Sequence, residues 1–195
     1  MQKKIYIIIV LFFSTLFLKA QTGIYRTYED FVKGNIEMMS NEDAGYTTST
    51  FGVRIKFKKF DGHHLRIKPK KMWGFLYRGY LFRTDHRNDI VFVADSGKVC
   101  LYENGYAYMD FIYHRENKYS SFVRVYYSYI SSGLDNRIYR MPFYDGQNYM
   151  LSNRREYRKF IRRYPQYEKL YECIDQSVRY LKIRKCVVNY NLANK

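Results

Sequence analysis

Between Met72 and Thr84 the chain places its only tryptophan in an aromatic run, Trp73-Gly74-Phe75-Leu76-Tyr77, that is mirrored across Arg78-Gly79 by Tyr80-Leu81-Phe82-Arg83. A two-residue turn at Arg78-Gly79 suits a β-hairpin, because glycine accepts the positive φ such turns need. That turn sets Tyr77 opposite Tyr80, Phe75 opposite Phe82 and Trp73 opposite Thr84. Opposed residues share a face, so one side of the ribbon is nearly all aromatic, while the other carries Leu76 with Leu81 and Gly74 with Arg83. A ribbon apolar on both sides belongs inside a sheet, between a core and a second layer.

The surrounding pattern extends that sheet. Thr22 to Arg26 is a short extended segment, and Thr27-Tyr28-Glu29-Asp30 reads as a helix N-cap with an acid three positions on. Tyr28, Phe31 and Val32 give this short helix an apolar side, Gly34-Asn35 stops it, and 36–50 reads as a polar linker. Val53, Ile55 and Phe57 alternate with Arg54, Lys56 and Lys58, and Leu65 with Ile67 repeats the alternation after a Phe60-Asp61-Gly62 loop with Gly62 left-handed. Pro69 ends that strand. Ile90–Asp95 pairs with Lys98–Glu103 through Ser96-Gly97, and Asn104-Gly105 reads as a hairpin turn into a strand over Tyr106–Tyr113. Tyr119–Ile130 and Arg137–Met141 complete an antiparallel meander of about eight strands, a sheet or open barrel, closed by Pro142.

The tail changes period. Asn153 caps a helix with Glu156 at its third position, and Tyr157, Phe160, Ile161 and Tyr164 recur at helical spacing up to Pro165. A second helix carries Tyr167, Leu170, Tyr171, Ile174, Val178 and Leu181 on one stripe and runs toward Asn189. Strands first and helices last imply an α+β fold. The short N-terminal helix and the two C-terminal helices pack on the meander, and 21–195 form a single domain.

At the N-terminus Lys3 and Lys4 precede an apolar run, Ile5–Leu18, and then Lys19-Ala20. This is the pattern of a secretory signal peptide over residues 1–20, its 14-residue apolar run too short to span the ~30 Å of a bilayer core as a helix. Cleavage after Ala20 removes Lys3, Lys4 and Lys19 and no acid, leaving 31 basic and 18 acidic residues, a formal charge of +13. The exported chain is then periplasmic or extracellular, with no integral membrane segment. Three cysteines allow at most one bridge. Cys173 and Cys186 stand ~20 Å apart along a continuous helix and pair only across a break, so mostly free thiols are expected.

Gly23-Ile24-Tyr25-Arg26-Thr27-Tyr28-Glu29-Asp30-Phe31, the Trp73-Gly74-Phe75 strand and Val187-Val188-Asn189-Tyr190-Asn191 together resemble a family of secreted proteins of Bacteroidetes bacteria that carries no assigned activity. In that family an export signal ending in Ala-Gln precedes a Gly-Ile-Tyr opening, and the chain closes on a helix with a Tyr-Asn pair. The resemblance implies export and a single domain.

Chemistry is sparse. His63 and His64, with Asp85 and His86, are the first place to look for a metal, yet adjacent strand residues point to opposite faces, so one of the pair at most can ligate. His114 beside Arg115 and Glu116 reads as loop chemistry. No Gly-x-Ser-x-Gly elbow exists, Asp95-Ser96-Gly97-Lys98 lacks the features of a phosphate loop, and Cys100 has no histidine beside it in sequence. No cofactor is expected. The strongest signal is the tail helix, where Arg154, Arg155, Arg158, Lys159, Arg162 and Arg163 crowd positive charge at i,i+4 spacing that destabilises an isolated helix by a few tenths of a kcal/mol per pair. An anionic glycan, a lipid headgroup or another polyanion would supply the missing charge. The leading expectation is a non-enzymatic exported interaction protein with these six as its ligand-binding residues. The alternative is a hydrolase of envelope or host polymers, with its site assembled in three dimensions from histidines and carboxylates.

Overall fold

The computed structural model describes residues 21–42, 45–49, 52–116, 127–141, 151–176 and 179–194. Residues 1–20, read as a signal peptide, Val178, Pro142 and most of the expected Tyr119–Ile130 strand lie outside them, as does the side chain of His114.

In chain order, β1 (Thr22–Tyr25) leads into helix α1 (Tyr28–Lys33) and β2 (Glu37–Met39). Strands β3 (Gly45–Ser49), β4 (Gly52–Lys58) and β5 (His64–Ile67) precede a 3-10 turn at Pro69–Lys71. The Trp73 hairpin is β6 (Gly74–Tyr77) and β7 (Tyr80–Thr84), followed by β8 (Ile90–Asp95) and β9 (Cys100–Asn104). Helix α2 (Gly105–Glu116), β10 (Ser128–Ser131) and β11 (Tyr139–Arg140) come before α3 (Leu151–Arg163), a 3-10 turn at Pro165–Tyr167, α4 (Glu168–Asp175) and α5 (Tyr180–Ala193).

The hairpin has the register its turn dictates. Tyr77 faces Tyr80, Leu76 faces Leu81, Phe75 faces Phe82 and Gly74 faces Arg83. Both turn residues have positive φ, 52° at Arg78 and 81° at Gly79, the geometry whose twist matches flanking strands. It lies inside an eight-stranded antiparallel sheet ordered β11-β10-β9-β8-β7-β6-β1-β2. The fold is α+β, as expected, but strand membership differs. β4 and β5 belong to a separate three-stranded sheet with β3, and β1 and β2 join the main sheet beside β6. The stretch read as a linker therefore holds β2 and β3. The loop to β5 is as read, with Lys59 N–H donating to the His63 carbonyl at 2.8 Å and Gly62 at φ 85°.

Asn104-Gly105 is not a hairpin turn, and Tyr106–Tyr113 is helix rather than strand. Neither Asn104 nor Gly105 has a positive φ. Glycine is required at 105 for space, since a Cβ there would sit 2.6 Å from the Ile90 carbonyl oxygen. Packing then overrides the strand preference of the tyrosines, and Met109 and Ile112, one turn apart, are buried against Phe75, Phe82 and Ile90.

Ser96-Gly97 is not a two-residue turn either. Asp95 pairs with Leu101 across a bulge, which leaves a wider loop clasped by Asn191 from α5. The Asn191 Oδ1 accepts the Val99 N–H at 3.0 Å, and its Nδ2 donates to the Val99 carbonyl at 2.8 Å and to Asp95 Oδ2 at 2.9 Å.

One face of the main sheet carries two cores side by side. Phe75 and Phe82, stacked at 5.0 Å between centroids, are covered by α2 and the small sheet, from which Phe57 meets Phe75 edge-on at 5.4 Å. Leu101, Ile130 and Tyr139 are covered by α3, α4 and α5 through Tyr157, Phe160, Leu170, Ile174 and Ile183. On the opposite face Cys100, Tyr102 and Tyr129 pack with Ile138. At the near end, α1 has the expected capping box, with Thr27 and Asp30 exchanging hydrogen bonds, and an αL stop at Gly34. Trp73 packs on its Tyr28 and Phe31, whereas Val32 points outward.

The C-terminal segments cover the sheet as expected but number three. The helix read as running from Tyr167 toward Asn189 breaks between α4 and α5, and the returning chain brings Cys173 and Cys186 to a Cα separation of 5.8 Å, joined as a disulfide. This corrects the expectation of mostly free thiols. Cys100 alone is free, and buried. The same break leaves Leu181 exposed rather than on the apolar stripe. α3 starts at Leu151, so Asn153 lies inside its first turn rather than at its cap.

Candidate functional site

Helix α3 is amphipathic for the reason its sequence suggests. Tyr157 and Phe160 are buried, Phe160 meeting Tyr139 at 5.5 Å and Tyr171 at 6.0 Å. That anchors one side of the helix to β11 and α4 and turns the other side outward. Arg154, Arg155, Arg158, Lys159, Arg162 and Arg163 are all exposed. They fall into two rows, Arg154/Arg158/Arg162 and Arg155/Lys159/Arg163, with ~6 Å between successive charges along the axis. Five of them, all but Arg163, line a surface hollow of about 490 Å³. Arg163 lies over the Tyr164 ring at 5.9 Å, and Arg154 faces Asp175 on α4, whose carboxyl is pushed up by burial.

Around Glu156 the structure gathers Arg87, Arg137 and His86, three residues that sequence reading missed as part of this site. Glu156 of α3 is almost covered, its side chain 12% exposed, and three cations surround it. Lys159 Nζ donates to Oε1 at 2.8 Å, while Arg87 and Arg137 stand 3.6 Å and 3.8 Å from Oε2. The Lys159 hydrogen bond and the surrounding positive charge hold the Glu156 carboxyl below the usual carboxylate range. Arg87 comes from the β7–β8 turn, pinned by the Asp85 carboxylate accepting the Arg87 and Asp89 N–H groups, each at 2.8 Å. Arg137 comes from the β10–β11 loop, where Ser131 Oγ donates to the Gly133 carbonyl at 2.7 Å and Arg83 donates to the Asn136 carbonyl at 3.3 Å. His86 joins them, its Nε2 3.2 Å from Arg137 Nη2. A guanidinium has no free lone pair, so His86 accepts through Nε2 and is neutral with its proton on Nδ1. Burial, followed by the nearby Arg137 and Arg87, lowers the His86 pKa against the opposing pull of Asp85. The signal for Arg87, Arg137 and His86 is tertiary. They meet α3 through two loops, and no local period marks them.

The other sequence candidates do not assemble. His63 and His64 are exposed on the loop and first position of β5. Among the described residues no three His, Cys, Asp or Glu side chains come together around a point that could hold a metal. A second hollow, about 310 Å³, lies where α2 begins beside Asp89, Tyr127, Tyr129 and Arg140. Its cation is already matched, because Arg140 Nη2 donates to Asp89 Oδ2 at 2.8 Å. Asp89 and Asp110 line separate hollows, and the buried Glu103 has no exposed surface. Among the described residues no helix is long and apolar enough to cross a membrane. No family model, curated protein or solved structure matches the chain.

Proposed function

We propose that this is an exported, non-enzymatic binding protein whose α3 face takes an acidic polysaccharide of the envelope or the surrounding medium. One observation carries the reading. The six basic side chains of α3 are exposed while the apolar side of the same helix is buried, with Glu156 the only acid within Arg154–Arg163. Charge placed this way attracts a polyanion and costs little to desolvate. The ~6 Å rise between charges in each row suits a polymer that repeats its own charge at short intervals. A polysaccharide is favoured over a lipid surface because no exposed large apolar side chain lies on the described part of α3. Phe60, Leu181, Leu192 and the others sit elsewhere, whereas a membrane-seated helix pairs its basic face with an apolar wedge. The Cys173–Cys186 disulfide supports export, since such bonds persist in oxidising compartments. The signal-like residues 1–20 and the resemblance to secreted Bacteroidetes proteins support it too.

The test is retention on heparin. Binding should weaken at least tenfold as salt rises from about 0.05 M to about 0.5 M, because exposed charges are screened over that range. Arg155→Ala with Arg158→Ala should weaken it further. Retention that ignores salt, or no binding at all, refutes the reading.

A further inference from the structure

Beyond the two rows on α3, the region around Glu156 has its own geometry. The Arg87 and Arg137 guanidiniums stand 3.6 Å and 3.8 Å from Glu156 Oε2, outside hydrogen-bond distance. That buried oxygen has no hydrogen-bond partner among the described residues. Glu156 thus holds the two arginines by charge alone and does not consume their N–H donors. Their side chains remain 38% and 44% exposed. The Arg137 guanidinium itself lies over the Tyr139 ring, its Cζ 5.5 Å from the centroid, and the Arg87 turn is fixed by Asp85. The two forks therefore come from separate, braced loops, with His86 against one of them and Lys159 against the carboxylate they share.

We propose that Arg87, Arg137 and His86, positioned by Glu156, form a discrete seat for a tetrahedral oxyanion, the sulfate or phosphate monoester of a sugar. This rests on the polysaccharide reading above, since Lys159 belongs both to the hollow on α3 and to the Glu156 cluster. A planar carboxylate offers two oxygens, whereas a sulfate or phosphate ester offers three. Two arginine forks from separate loops, joined by His86 as a donor once its ring is protonated, match the latter, and arginine forks pair bidentately with such groups. His86 makes the seat pH-sensitive. It faces Asp85, Arg87, Arg137 and Glu156, and as a neutral acceptor it occupies one Arg137 donor. Protonation adds a positive charge and releases that donor to the anion. Anion binding in turn favours the protonated ring.

Inorganic sulfate is the probe, because its charge is constant over the range where histidine titrates. Its binding to the purified protein is followed by calorimetry and by the His86 ring resonances, beside heparin binding. The native protein should bind sulfate more tightly than acetate, with the His86 signals shifting on addition. Its sulfate affinity should rise at least threefold as pH falls from about 8 to about 5.5. Arg158→Ala with Arg162→Ala, outside the seat, should keep sulfate binding and lose heparin affinity. Arg87→Ala with Arg137→Ala should lose sulfate binding, and Arg137→Lys, which keeps the charge without the fork, should weaken it. His86→Gln should bind with no pH trend. Unchanged sulfate affinity in the Arg87/Arg137 double variant, or unmoved His86 signals, overturns the seat. If heparin still binds through α3 in that case, only the seat falls. Sulfate bound at the seat of a protein that ignores heparin keeps the seat and removes the polymer.

Discussion

Glu103 is a carboxyl group with no exposed surface, set at the seam between the two cores. Tyr108 of α2 donates to its Oε2, and Arg184 of α5 stands 3.7 Å from Oε1. Burial pushes its pKa up, and the Tyr108 hydrogen bond and Arg184 charge only partly oppose that. A carboxyl whose folded pKa lies above the unfolded value stabilises the fold fully at pH below the unfolded value and loses that contribution as pH rises through the folded one. Glu103→Gln stays neutral and can still accept from Tyr108. Its melting temperature relative to the native protein should therefore climb as pH rises from about 4 to about 8. A difference that stays flat with pH would show that Arg184 fully compensates the buried charge. Glu156 has the opposite sign. Its depressed pKa gives stability that is present at neutral pH and is lost on acidification through the folded value.

Among the elements, α4 and α5 depend on each other through the Cys173–Cys186 bridge, which closes a sequence separation of 13. Opening a loop of that size returns about 3 kcal/mol of entropy to the unfolded chain. Cys173→Ser with Cys186→Ser should therefore lower unfolding free energy in urea by about 3 kcal/mol, while a loss under 1 kcal/mol would mean the helices hold without it. The elements also show what the chain makes legible. The Trp73 hairpin could be read because a two-residue turn fixes register locally, and α3 because its charge and apolar stripe follow one period. Asn104-Gly105 misleads because its glycine answers to the Ile90 carbonyl, a contact that sequence does not display. Asn191 reads as the end of a helix, yet it works as a surrogate strand partner for Val99. The six cations of α3 were readable for the same local reason. His86 and Arg137, 51 residues apart, meet only through the folded sheet.

For the whole molecule, a single eight-stranded sheet underlies both cores. Trp73 reports on the half beside α1, and the helical signal comes largely from α3–α5 on the other half. Because β6 to β11 are hydrogen-bonded without interruption, neither half can melt without stripping a neighbour of its ladder. Tryptophan fluorescence and far-ultraviolet dichroism should thus give coincident unfolding curves, and two separated midpoints would show that the halves fold independently. The bond between Cys173 and Cys186 has one more effect. A protease that severs the backbone after Arg179 would leave the terminal helix fastened to its neighbour through sulfur, with Asn191 still gripping the sheet. A nicked molecule would keep its shape, and the cut would come apart only when a reductant arrived.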